Sequence, residues 1–266
     1  MSHFQNFLLI FSLDYCNGEK KVLHLHQKKQ RLAFLQGIGR LRAAFFLFIM
    51  ESKKRVTFYI DGFNFYFGLK RTKKADAAWC NLYWIDIVKL CESFLGDGQT
   101  LEKVIYFTAS PLSPQKNSRQ SAFLNANKLI NGDRFEIVRG KYLEKHIICP
   151  YCKGDISRPE EKKTDVNISI RMVEDCVMNA TDIVALVSAD SDLVPPIELI
   201  QRLFPNVGIK VYFPPSNFSN DLKDNLMHHR SKPVMMIKNI RRFQSAVMPD
   251  TVSKDGKTYI IPDKWK

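Results

Sequence analysis

From Arg55 onward, apolar β-favouring runs alternate with helix-length amphipathic stretches, and few folds accept that order. Strand-like runs are expected at about 56–61 and in KVIYFTAS, FEIVRGKYLE, DIVALVS and GIKVYFP. Between them, NLYWIDIVKLCESFL, RQSAFLNANKLI, DVNISIRMVEDCVMNA and LVPPIELIQRLF carry apolar residues at three/four spacing. In the third of these, Val166, Ile170, Val173, Val177 and Ala180 share one side, which is the expected buried face. Strands separated by helices need crossovers, so the expected fold is α/β, a mainly parallel sheet sandwiched by helices. Pro195 and Pro196 fit a helix's first turn, where amide donors lack partners. The tail after Gln244 has little pattern and reads as a peripheral loop.

With 266 residues, 45% of them hydrophobic, the chain can bury a sizeable core. Its net charge is +13, which points to a polyanionic partner. Residues 1–50 hold seven Lys/Arg and two acids, leaving +8 on the rest. Those first 50 residues show no sustained period and precede Met50, so they read as an N-terminal extension. Met50 as the natural start and a genuine amphipathic arm are both open. Neither FLLIF nor AAFFLFIM approaches the roughly 20 residues of a membrane span, so no membrane partner is expected. Six cysteines scattered through a long chain suggest reduced thiols in a cytoplasmic protein.

Three acidic signals fall at strand or helix ends. TFYIDGFNFYFGLK runs from a strand into Asp61-Gly62 and then Asn64; Asp61 is either a helix cap or a functional carboxylate. SADSD places Asp190 and Asp192 after a wholly apolar strand, and KKTD sets Asp165 at a helix start behind Lys162 and Lys163. In open parallel sheets, ligands bind beyond the carboxyl ends of the strands. Four carboxylates in one crevice repel unless a cation neutralises them, and oxygen-only ligands suit Mg²⁺ or Mn²⁺ better than zinc.

FYIDGFNFYFGL, EEKKTDVNISIRMVEDC and ALVSADSDLVPPIELI, in that order, resemble the NYN domain of the LabA-like group in the PIN-like nuclease superfamily. The likeness begins near Arg55 and reaches the C-terminus, where MPDTVSKDGKTYIIPDKW resembles an extension of some members. The resemblance implies a Rossmann-like three-layer sandwich with a five-stranded sheet of order 3-2-1-4-5. It puts the domain at 51–243, with a cysteine-containing insertion at about 146–163 and a C-terminal extension at 244–266. It implies metal-dependent hydrolysis of RNA, single-stranded in the expected case. Asp61, Asp165, Asp190 and Asp192 match the metal-binding acids, Asn64 a ligand-orienting residue and Ser188 a small hydroxyl residue before the acidic loop. Lys162 and Lys163 are candidates for RNA phosphate contacts, with a solvated loop as the alternative. A non-catalytic RNA-binding adaptor and a Mg²⁺-dependent phosphatase are the competing functions.

HIICPYCKG adds Cys149-x-x-Cys152 with His146 upstream, half of a zinc ribbon. No second C-x-x-C follows, so structural Zn²⁺, an ion shared between two chains of a homo-oligomer, and plain thiols all stay open. Phe63, Phe65, Tyr66 and Phe67 are either core residues or base-stacking surfaces.

Overall fold

The computed structural model describes residues 53–152, 154–228 and 231–266; the expectations for residues 1–50 lie outside the described residues. In chain order the elements begin with β1 (Lys54–Asp61), α1 (Gly62–Ala75), α2 (Ile87–Glu92), β2 (Gln99–Thr108) and α3 (Pro114–Asn131). Next come β3 (Phe135–Arg139), β4 (Lys141–Ile148), β5 (Asp155–Lys162), α4 (Thr164–Val177) and β6 (Ile183–Val187). The chain continues through α5 (Val194–Leu203), β7 (Gly208–Phe213), α6 (Asn220–His228), β8 (Val234–Met235) and α7 (Ile240–Ser245). It ends in a hairpin of β9 (Thr251–Lys254) and β10 (Lys257–Ile260).

β1 is the central strand because its last six residues are buried and both of its edges are paired in parallel, to β2 and β6. The full sheet order is β3-β2-β1-β6-β7-β8. Its first five strands follow the expected 3-2-1-4-5 order, and the two-residue β8 adds a sixth at the edge. Strand alternation divides the core in two. Phe58 and Ile60 face one apolar cluster, which holds Phe65, Leu69, Trp84, Ile87 and Phe123. Tyr59 faces the other, with Ile168 and Met172 of α4, Ile197 and Ile200 of α5, and Leu222 and Leu226 of α6. The result is a three-layer sandwich.

Three stretches differ from the sequence-based expectations. FEIVRGKYLE is not one strand: Gly140 breaks it, and β4 turns away to form an antiparallel hairpin with β5. A Cβ at Gly140 would stand 2.7 Å from the Thr164 hydroxyl and 2.8 Å from the Lys162 carbonyl, so only glycine lets the hairpin root meet the start of α4. The apolar side of α4 read from spacing is mostly outward: Val166, Ile170 and Val177 are 59%, 61% and 64% exposed, while Val173 packs against the second cluster. Ile168, Met172 and Cys176 are buried instead, because this helix is apolar on two sides and periodicity could not choose between them. The tail is not a peripheral loop. Val252, Ile261 and Trp265 are buried, the Trp84 indole donates to Pro249 O at 2.8 Å, and Trp265 stacks on Tyr83.

No helix among the described residues is long and apolar enough to cross a membrane.

The corner from β1 into α1 is tight. A Cβ at Gly62 would lie 2.5 Å from the Tyr106 ring and 2.6 Å from Phe107 O. Gly62→Ala is therefore expected to destabilise the protein by about 1–3 kcal/mol, although Ala is the better helix former. An unchanged urea midpoint would show that β2 and α1 can move apart.

Candidate metal centre

The parallel pairing of β1 with β6 aligns Ile60 with Val187, so Asp61 and Ser188 leave the sheet side by side at its carboxyl edge. One oxygen of Asp61 caps α1, accepting from the amides of Phe63 and Asn64 at 3.0 Å each. The other accepts from Asn64 Nδ2 at 2.6 Å and Ser188 Oγ at 2.9 Å. Asp61 thus caps the helix and also belongs to the group of converging carboxylates. Ser188 Oγ also accepts from the Asp190 amide at 3.1 Å, and Asp190 Oδ1 accepts from the Asp192 amide at 3.0 Å. That second turn opens the short 3₁₀ segment Ser191–Leu193 ahead of α5.

Asp165 arrives from the opposite direction, in the first turn of α4, where a helix N-terminus favours negative charge. It does not occupy the cap position. Lys163 does, with φ of 77°, a left-handed conformation uncommon for a side-chain-bearing residue. Lys162 and Lys163 are both exposed at this turn.

Carboxylate oxygens of Asp61, Asp165 and Asp190 lie within 4.8 Å of one another. Asp192 stands outside that triad, though its charge reaches it. Asp61 is buried, and desolvation is the main cause raising its pKa, with bonds from Asn64 and Ser188 opposing. Asp165 is pushed up to about 6, first by burial and then by the charges of Asp190, Asp61 and Asp192. Among the described residues, none of these four acids forms an ion pair. Three converging carboxylates with no cationic partner are the donor set of a hard divalent ion.

Asn217 was not singled out by sequence reasoning. Its amide donates to the backbone and side-chain oxygens of Asn64, at 2.7 and 3.1 Å, and Arg71 donates to its carbonyl. It therefore sets the orientation in which Asn64 meets Asp61. PPSNFSN gives little signal for this, because Asn in such a stretch reads as ordinary turn chemistry.

The aromatic cluster divides. Phe65 is buried, Tyr66 packs against the core, Phe63 is half-buried and Phe67 is 39% exposed. Phe63 lies between Phe67 and Tyr142, with ring centroids at 5.8 and 5.6 Å, and Lys70 Nζ sits 5.6 Å over Phe67. Cys149 and Cys152 are free thiols at the tip of the β4–β5 hairpin; the side chain of His146 lies outside the described residues.

The triad predicts a conflict between stability and site chemistry. A carboxyl whose folded pKa is raised favours folding most below its unfolded value near 4, and that contribution fades as pH rises through about 6. Metal-free Asp165→Asn is therefore expected to be more stable than the parent at pH 7.5. Solvent screening around a half-exposed carboxyl limits the gain to roughly 1 kcal/mol, and the difference should vanish near pH 4. Urea midpoints in EDTA at several pH values check this; a variant no more stable at pH 7.5 would show that neither burial nor the neighbouring acids penalise the ionised Asp165.

The chain is 25% identical over 206 residues to the 6-hydroxy-3-succinoylpyridine 3-monooxygenase HspA of Pseudomonas putida, a match covering 65% of this chain. The match spans 64% of that relative, just under two thirds of its length. A crystal structure of a Vibrio parahaemolyticus protein of unknown function aligns with TM-score 0.44 and 18% identity, covering 69% of this chain and 93% of the other. The family model described as NYN domain matches residues 55–231, a span that contains the triad and the β4–β5 hairpin, and the chain belongs to the NYN-domain family.

Proposed function

We propose that this protein is a metal-dependent ribonuclease of the LabA-like group that cleaves single-stranded RNA in the cytoplasm. The observation that carries the reading is the triad: three carboxylates within 4.8 Å at the carboxyl edge of a parallel sheet, in an NYN domain. The net charge of +13 makes an acidic centre unusual on this chain and suits a polyanionic substrate.

Asp61, Asp165 and Asp190 would hold Mg²⁺ or Mn²⁺, with Asp192 adding charge at the rim. Such an ion, when bound, acidifies a coordinated water and offsets charge developing on phosphate. The chain's own residues do the positioning. Ser188 and Asn64 fix Asp61, Asn217 and Arg71 fix Asn64, and the turn at Lys163 delivers Asp165. Lys162 and Lys163 would meet phosphates approaching the centre. Phe63 and Phe67 offer faces on which unpaired bases stack, the feature favouring a single strand.

The similarity to HspA favours a second reading, oxygenation of a pyridine. A set of three carboxylates differs from the two-His-one-carboxylate sites that serve non-haem iron oxygenases, so hydrolysis is preferred.

The deciding experiment incubates the full chain with a labelled single-stranded oligoribonucleotide in Mg²⁺, Mn²⁺ or EDTA. Cleavage is expected only with metal, and Asp190→Asn should lower kcat about 100-fold or more. Phe63→Ala should weaken binding of the single strand about 10-fold. Binding without cleavage would make the protein an adaptor. Cleavage surviving in Asp190→Asn would remove the triad from the reaction. Turnover of 6-hydroxy-3-succinoylpyridine with oxygen and a reductant, in place of RNA cleavage, would favour the second reading.

A further inference from the structure

The tip of the β4–β5 hairpin carries chemistry that the acidic centre does not use. Its turn is held by the Cys149 amide, which donates to Gly154 O at 2.9 Å. Cys149 and Cys152 flank this turn three positions apart, both as free thiols, with Cys152 exposed. This is the arrangement by which a C-x-x-C turn presents two thiolates to one tetrahedral ion. A redox role fits less well, because the pair closes a hairpin and does not open a helix.

Two thiolates fill half of a structural zinc site, which takes four ligands. Cys80, Cys91 and Cys176 lie elsewhere in the chain, and among the described residues the acidic triad is the group of three or more metal-capable side chains brought together. Among the described residues no third metal-capable side chain joins the two thiols, and a second copy of the tip would supply two more sulfurs. The tip is built to be met: Tyr151 is 95% exposed and Ile148 is 66% exposed, two large apolar side chains flanking the thiols. A two-fold axis through one ion gives each copy the same contribution, two sulfurs and one apolar flank, and closes the assembly at two.

We propose that one Zn²⁺ is shared by Cys149 and Cys152 of two copies of this chain, clipping their hairpin tips together. The clip is independent of the ribonuclease reading, since none of its ligands belongs to the triad.

The test uses the full chain, reduced, loaded with zinc chloride in excess Mg²⁺ to keep zinc off the carboxylates. Metal content is read by elemental analysis and molar mass by light scattering. The expected result is about 0.5 zinc per chain on a dimer. Removing zinc with a chelator, or substituting Cys152→Ser, should halve the molar mass, with the variant keeping its circular dichroism. His146→Ala should leave both the zinc ratio and the dimer intact. Any of four results would overturn the proposal: no zinc retained, one zinc per monomer, zinc lost from His146→Ala, or a dimer indifferent to zinc removal.

Discussion

The pairing of β1 with β6 is the constraint on which the molecule depends, and it is pinned at both ends. At the amino end, Arg55 donates to Asp182 from its backbone amide at 2.8 Å and from its guanidinium at 2.9 Å. At the carboxyl end, Ser188 donates to Asp61 at 2.9 Å. Both pairs join residues 127 apart, so they specify the same register. A slip of one residue would turn the side chains of β1 to the wrong faces, mixing the two apolar clusters. It would also separate Asp61 from Ser188, so the core and the acidic centre are satisfied by one alignment.

That alignment lets the fold tolerate an arrangement that is locally unfavourable. Asp61 is buried and charged groups surround Asp165, yet neither has an ion-pair partner among the described residues. The opposing forces lie behind the site. Arg171 of α4 pairs with Glu136 of β3 at 2.7 Å and with Asp175 at 3.0 Å, and Asp175 accepts from the buried Tyr59 hydroxyl at 2.7 Å. These bonds tie α4 to β1 and β3, so the helix holds its first turn, with Asp165, against the other acids. Removing one member of such a network would leave another polar group buried and unpaired, at greater cost than the bond itself contributes.

Much of this was legible in the sequence, and what was not failed for identifiable reasons. The strand leading into Asp61, the Pro pair in α5 and the helix–strand alternation follow from local chemistry and hold in the structure. Nothing local brings Asp61 to Asp190; the resemblance supplied the strand order that does, and the structure has it. The α4 face was misjudged because two apolar stripes share one helix, and only the packing partner decides between them. The tail was missed because it owes its order to Trp84, Tyr83 and Phe123, residues far away in sequence. Asn217 was missed for the same reason: its partner Asn64 is 153 positions away.

The hairpin links the two chemistries of the chain by a short covalent route. β4 and β5 have eight residues each, roughly 25 Å of strand, with the thiols at the tip and Lys162 at the root. One residue beyond the root, Lys163 takes the left-handed conformation, and two further on stands Asp165. Gly140 fixes the other leg against the start of α4, and Tyr142 on that leg meets Phe63 beside Asp61. The root is therefore clamped on both strands within a few residues of the carboxylates. A force that reorients the hairpin acts first on Lys163 and Tyr142, one setting Asp165 and the other the aromatic face beside Asp61. Joining two tips through one ion would tie both hairpins, so the thiol pair would bear on the acidic centre through backbone geometry, with no ligand in common.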